Sequence, residues 1–433
     1  MKTSSPLIEI RLDKFTYGGE AMGRLADGRA VFVPFALPGE TVRVRLAEDK
    51  RNFARAELVE VIAPSPQRIT PKCKHFFSPL PWGEGTGVRA CGGCHYQNLS
   101  YENQLAAKTG ILRDQLTRIG KIENPPVRPI VPSPREWNYR NQVQFHLTQE
   151  GKLGFVSHLP AGEGPEVRVI PITECHLPEA PINAFWPQLG FDPGAPDDRI
   201  SIRSGAGDDL MLVIESDEPA PPEVDFEAGI SAVHVFADNP IVMAGDDHLV
   251  IEVLGRPFKV SAASFFQVNT PMAARMVEHA LGLLPEKMDA LLDIYCGVGL
   301  FSAFAAPRCQ RLIGIETSPS ACEDFTANLD EFDHVELYQA PAEDVLPALV
   351  TQIASLRHAH AIVDPPRAGL DRKVLDALAA ARPESVIYVS CDPSTLARDA
   401  RRLIEHGYRL EQTTPFDLFP QTYHIESLSL FTR

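Results

Sequence analysis

From about residue 260 to the C-terminus, short apolar runs alternate with amphipathic ones in a fixed rhythm. A helix over 271–283 precedes LLDIY, a helix near residue 300 precedes RLIGIE, and a helix over 318–329 precedes VELYQA and AHAIVD; a helix over 371–382, SVIYVS and a helix over 394–406 complete the series. Strands apolar on both faces belong inside a sheet covered by helices on each side, and parallel neighbours need a crossover between them. The pattern therefore predicts a doubly wound, Rossmann-like α/β domain with a largely parallel sheet, which takes its ligands at the carboxyl ends of its strands. With 433 residues the chain exceeds one ordinary core, so further domains are expected upstream.

Those domains read as β-rich. IEIRLDKF, AVFVPF, TVRVRLAED and ARAELVEVI alternate with period two between the Gly18-Gly19 and Pro38-Gly39 turns, the signature of a small OB-like barrel over residues 1–62. An amphipathic helix follows over 98–120, its apolar side built from Leu99, Leu105, Leu112, Leu116 and Ile119 and its polar positions including Lys108, Arg113 and Arg118. NQVQFHL, KLGFVS, EVRVIPI, RISIRS, LMLVIES and AVHVFA make residues 63–250 a β-rich middle domain, which leaves 251–433 for the α/β domain. The net charge is -16, yet residues 1–145 hold 21 Lys and Arg against 14 Asp and Glu. A basic front end on an acidic body is compatible with RNA. No uncharged apolar stretch reaches the roughly eighteen residues of a membrane helix, and MKTSSPLIEIRL lacks a signal-peptide core, so a cytoplasmic protein without membrane attachment is expected.

Asp293-Ile294-Tyr295-Cys296-Gly297-Val298-Gly299 is a strand entering a glycine turn and then a helix, the geometry that brings backbone close to a nucleotide-like ligand. Glu316 closes the next strand, placed to accept hydrogen bonds from ribose hydroxyls. Ser302 stands where a dinucleotide fingerprint would have its third glycine, which tilts the reading from NAD toward S-adenosylmethionine. AHAIVD delivers Asp364 to the same sheet edge, fixed by Pro365 and Pro366; Arg367 stands where amino-group methyltransferases carry an aromatic. SVIYVS delivers Cys391 just ahead of a helix N-terminus, a position that favours the thiolate. HIESLSLF carries Glu426 beside Leu428 and Leu430, an apolar setting that suits a carboxylate to proton transfer. The plainer readings are a small buried thiol and a solvent-facing strand-edge charge. A thiolate, a fixed Asp, a desolvated Glu and a methyl-donor pocket together fit carbon methylation of a pyrimidine through a covalent adduct.

These residues resemble the RNA (uracil-5-)-methyltransferase family, and the resemblance covers nearly the whole chain. It implies an enzyme that makes 5-methyluridine in ribosomal RNA or tRNA, with a TRAM domain as the opening barrel. It implies Cys391 as nucleophile, Glu426 as base, and Gln267 of Ser264-Phe265-Phe266-Gln267-Val268-Asn269, Tyr295, Gly297, Gly299, Glu316 and Asp364 at the S-adenosylmethionine site. Asp364 is also expected to orient the pyrimidine. Leu300 departs from the family's frequent Asn. Carbon-5 cytosine methyltransferases are a weaker match, because they place a Pro-Cys pattern where this chain has Asp364-Pro365-Pro366.

Cys73, Cys91, Cys94 and Cys175 form a second constellation, able to hold an iron-sulfur cluster or tetrahedral zinc. Cys91-Gly-Gly-Cys94-His-Tyr-Gln resembles the segment of family members that carry a four-iron, four-sulfur (4Fe-4S) cluster, whereas His75, His95 and His176 keep zinc as the alternative. The expectation is a monomeric RNA methyltransferase. The competing reading is a nucleic-acid-binding protein with a degenerate methyltransferase fold.

Overall fold

The computed structural model describes residues 6–76, 78–79, 88–157, 169–192, 199–222, 229–237 and 239–433. Leu7–Phe15, Glu20–Arg24, Ala30–Pro34, Thr41–Asp49 and Phe53–Ala63 close into a five-stranded barrel, the parallel pairing of the third strand with the fifth completing the circle. Period-two alternation makes the core: Val31, Val33, Val42, Val44, Ala54, Ala56 and Leu58 point inward and are buried, while the intervening Arg and Glu residues face out. This core continues into Phe76, Ala90, Cys94, Tyr139 and Leu177. Barrel and cysteine segments therefore share one packed interior.

Much of the front end's positive charge is neutralised on the surface. Arg29 pairs with Asp27 and Asp49, Arg43 with Glu9 and Glu60, Arg55 with Glu20, and Lys14 with Asp114.

The helix Tyr101–Arg118 presses Leu112 and Leu116 into the core of the α/β domain. Arg113 and Arg118 are exposed on it, as the amphipathic pattern implies, but Lys108 is fully buried. The helix is covered on more than one side, and a lysine read as part of its outer face is inside.

The middle domain is a seven-stranded sheet in the order Val169–Pro171, Leu153–Val156, Gln142–Leu147, Arg199–Ser204, Leu210–Glu215, Ser231–Phe236, Asn239–Ala244. Glu166, Val167 and Arg168 of the EVRVIPI run lie outside the described residues, as does the Pro- and Gly-rich segment over 80–87.

The C-terminal sheet runs Val335–Gln339, Cys309–Glu316, Met288–Ile294, Ala359–Val363, Ser385–Ser390, Glu426–Thr432, Arg409–Phe416. Its first five strands are parallel, and Glu426–Thr432 runs antiparallel between Ser385–Ser390 and Arg409–Phe416. From Met288–Ile294 the chain builds outward to one side and then crosses to the other, so the order reverses between Met288–Ile294 and Ala359–Val363. Ligand crevices of such sheets open at that reversal. One helix of the crossover, Ala342–Ala354, is absent from the periodicity reading; Pro347 inside it looks like a breaker in sequence, yet Leu346, Leu349 and Ile353 pack it onto the sheet. Among the described residues no helix is long and apolar enough to cross a membrane.

Candidate active site

At the reversal point the chain leaves Ile294 through three residues at positive φ: Tyr295 at 66°, Gly297 at 54° and Gly299 at 87°. The two glycines serve different ends. A Cβ on Gly299 would stand 2.5 Å from Leu329 Cδ1 and 3.0 Å from Phe325, whereas one on Gly297 would meet nothing within 4 Å. Gly299 permits close packing of the turn on the helix Pro319–Asn328. Gly297 leaves its backbone bare toward open space.

Glu316 fixes this turn. One carboxylate oxygen accepts from Gly297 N at 3.0 Å, and the other from Thr317 N at 2.7 Å and Ser318 N at 2.9 Å. Beneath it Asp293 is buried and accepts from Ser302 Oγ at 2.6 Å, so the serine that replaces the third glycine supports the turn from below. Burial raises Asp293 to about 6, against the pull of that hydrogen bond. Across the reversal, Asp364 N donates to Ile294 O at 3.1 Å. Burial, then the charges of Asp293 and Glu316, raise Asp364 to about 7.

Gln267, half-buried, stands in a segment pinned at both ends. Ser264 Oγ lies 2.8 Å from Ser320 Oγ on the helix that follows Glu316. Asn269 Nδ2 donates to Leu418 O at 3.0 Å, in the turn that leads to Glu426. The segment thus bridges the nucleotide end of the crevice and its chemical end, with Phe265 exposed at its rim.

Cys391 follows the parallel strand Ser385–Ser390, and Glu426 opens the antiparallel strand paired with it. Glu426 is 7% exposed, and burial, reinforced by Asp364, pushes its carboxyl well above the ordinary range while Arg367 and Lys108 pull the other way. The expected thiolate at Cys391 is corrected. Burial, Glu426 and Asp364 push the thiol up to about 12, opposed by Arg367. The helix N-terminus does not rescue it, because Asp392 takes the first free amides for itself, accepting from Ser394 N at 2.8 Å and Thr395 N at 3.0 Å. Two contributors escaped the sequence reading. Tyr17, from the barrel, donates to Cys391 O at 3.3 Å and packs edge-on against Tyr423. Arg367, noted only for not being aromatic, is the cation facing both Cys391 and Glu426.

The four cysteines line one enclosed cavity together with Phe76, Gly93 and Phe155. Cys73 Sγ accepts from His75 N and Cys91 Sγ from Gly93 N, both at 3.4 Å. The Arg140 charge bears on Cys91, Cys94 and Cys175. His75 Nε2 accepts from Thr173 N and His95 packs on Tyr423, whereas His176 and Glu174 line the cysteine cavity beside the thiols. Among the described residues no three His, Cys, Asp or Glu side chains stand at the spacing of a formed metal site. Four thiols around one cavity, two of them accepting from amide N–H groups, fit a sulfur-ligated centre, with His176 at the cavity wall.

Barrel, doubly wound sheet, glycine turn with its acidic partner and strand-end thiol together define an S-adenosylmethionine-dependent RNA methyltransferase carrying a TRAM domain. The TRAM domain profile matches residues 7–59, and that of the tRNA (Uracil-5-)-methyltransferase family matches residues 245–433. The chain is 32% identical to an uncharacterized RNA methyltransferase of Thermosynechococcus vestitus, over 98% of each chain, and 31% identical to one of Aquifex aeolicus, again over 98% of each. The crystal structure of Pyrococcus abyssi tRNA (uracil-54, C5)-methyltransferase in complex with S-adenosyl-L-homocysteine superposes with a TM-score of 0.69 at 23% identity, covering 98% of this chain and 99% of that one. The chain belongs to a family of RNA methyltransferases.

Proposed function

We propose that the protein methylates carbon 5 of a uridine in structured RNA, ribosomal RNA or tRNA, through a covalent adduct between Cys391 and carbon 6. The observation that carries this reading is the mutual approach of one thiol, two carboxyls with raised pKa and Arg367 at the sheet reversal, beside the glycine turn. Residues 251–433 supply the chemistry, 63–250 the cysteine centre and 1–62 an RNA-binding barrel.

Uracil carbon 5 is a poor nucleophile. Addition of the Cys391 sulfur to carbon 6 moves the ring π electrons onto the carbonyl at carbon 4, and the resulting enolate makes carbon 5 electron-rich. Because the resting thiol holds its proton, attack requires transfer of that proton to a neighbouring carboxylate; Asp364 receives it, which leaves Glu426 for the later step, while Asp392 is engaged with the helix amides. Protonated Asp364 and Arg367 then face the growing enolate charge. Bound S-adenosylmethionine, held by Gln267, Tyr295, Gly297, Gly299, Glu316 and Asp364, supplies an electrophilic methyl group to carbon 5. Glu426 removes the carbon 5 proton, the C–H pair re-forms the ring double bond, and the Cys391 sulfur leaves with its electrons.

Cys73, Cys91, Cys94 and Cys175 would hold a four-iron, four-sulfur cluster, their donor set fitting it as described above. The reading places the enzyme in the cytoplasm, where thiols stay reduced, and as a monomer. Glu426→Gln tests the mechanism: a methylated RNA adduct stable to denaturing electrophoresis is expected, and full turnover without adduct would remove Glu426 as base.

A further inference from the structure

Lys108 is a buried cation to which the reaction above gives no task. It has no exposed surface, and its ammonium donates to Asp417 Oδ1 at 2.5 Å and to Phe419 O at 2.9 Å. Asp417 is equally buried, and Tyr101 faces it from the same helix as Lys108. A closed ion pair of this kind adds little stability over an apolar pair of the same shape, so stability alone does not account for it.

Its partners lie in the turn between Phe416, which ends one strand, and Glu426, which begins the next. That turn is gripped along its length. Leu418 O accepts from Asn269, Pro420 O from Tyr139 Oη at 2.9 Å, and Gln421 O from both His95 N and Tyr96 N, while the Gln104 and Gln421 amides bond each other. Gln421 itself sits at a φ of 70°.

Three charged groups and one thiol bear on Glu426. Asp364 and Arg367 come from the loop after Ala359–Val363, Cys391 from the end of Ser385–Ser390, and Lys108 from the helix Tyr101–Arg118. Of the Lys108–Asp417 pair it is the ammonium that bears on Glu426. Arg367 is exposed and screened by water; Lys108 is not.

We propose that Lys108 is a positioning residue for the base: with Asp417 it fixes the turn that carries Glu426, and its unscreened charge favours the carboxylate form needed to take the carbon 5 proton. The proposal rests on Glu426 being that base. Its consequence is directional. Removing the ammonium makes Glu426 harder to ionise, and neutralising Asp417, the charge that keeps this buried amine protonated, acts in the same direction.

The experiment follows breakdown of the RNA–protein adduct between about pH 6 and pH 9 in full-length wild type, Lys108→Met, Lys108→Arg, Asp417→Asn and Glu426→Gln, with melting temperature and S-adenosylmethionine affinity measured alongside. Lys108→Met should move the breakdown profile up by about one pH unit or more, with adduct accumulating at neutral pH and clearing at high pH. Lys108→Arg should restore the wild-type profile, and Asp417→Asn should shift it upward together with Lys108→Met. Glu426→Gln should hold its adduct at every pH. Profiles for Lys108→Met and Asp417→Asn that overlay the wild type would overturn the proposal; if Lys108→Met fails to fold, Asp417→Asn decides alone by the same criterion. Adduct breakdown at wild-type rate in Glu426→Gln would instead overturn the base assignment on which the proposal stands.

Discussion

In the proposed mechanism Cys391 is a nucleophile whose surroundings favour the protonated thiol. Its thiol is held near 12 by burial and by Glu426 and Asp364, so reactivity is switched on by proton transfer within the site. Cys391→Ala should abolish methylation while leaving S-adenosylmethionine affinity within about twofold, since the residues assigned to the methyl donor lie elsewhere on the sheet edge; calorimetry beside a methyl-incorporation assay checks both halves. Glu426→Gln should slow turnover by about 10² to 10⁴-fold, the usual weight of a general base. Asp364 adds a stability signature. A carboxyl raised to about 7 in the folded protein is favourable while protonated, and that contribution fades as pH rises from the unfolded carboxyl range through 7. Asp364→Asn should therefore raise the melting temperature of the donor-free protein at pH 8 more than at pH 5, and lose activity at both; equal shifts at the two pH values would contradict the assignment. Strand periodicity made Cys391, Asp364 and Glu426 legible as strand-end groups. The protonated thiol and the buried Lys108 were not, because the first depends on carboxyls brought in by neighbouring strands and the second on Asp417, 309 residues away in sequence.

Each turn that matters is set by a short element. Gly299 faces Leu329 at 2.5 Å and Gly297 faces open space, so the two should respond differently to alanine. Gly299→Ala should destabilise by about 1–3 kcal/mol through strain and overpacking. Gly297→Ala should cost about 1 kcal/mol but raise the S-adenosylmethionine requirement, because its methyl group would enter the space above the bare backbone. Thermal melts with and without the donor separate the two; a Gly297 variant with unchanged donor affinity would place the donor elsewhere. The strand and helix alternation was legible from Thr270 to Glu405 save for Ala342–Ala354, where Pro347 broke the apparent period while tertiary packing held the helix. Local pattern names an element, and burial against the sheet decides whether it survives a poor residue.

Over the whole molecule the three parts are interlocked. The barrel core runs into the cysteine segments, Tyr17 reaches Cys391, and His95 and Tyr96 hold the turn that carries Glu426. That interlock was invisible in the sequence, where the barrel read as a separate module. The basic surplus of residues 1–145 also overstates the free charge there, since Arg29, Arg43 and Arg55 are paired with acids. RNA affinity should then depend on the exposed Arg113 more than on Arg118, which Asp114 pairs at 3.5 Å, and replacing Arg113 by Glu should reduce the log-log salt slope by about 0.7 to 0.9 for the lost phosphate contact. Binding isotherms at several salt concentrations check this, and unchanged slopes would move the RNA to another face. Protein purified without oxygen should carry iron and broad visible absorption, lost in Cys91→Ser or Cys94→Ser; stoichiometric zinc without iron would contradict the cluster. The central claim is uridine carbon 5 methylation by Cys391. Its most direct test is nucleoside mass spectrometry of RNA incubated with the protein and S-adenosylmethionine. The account predicts 5-methyluridine with the wild type and none with Cys391→Ala; methyl groups on any other base or atom, or 5-methyluridine formed by the alanine variant, would contradict it.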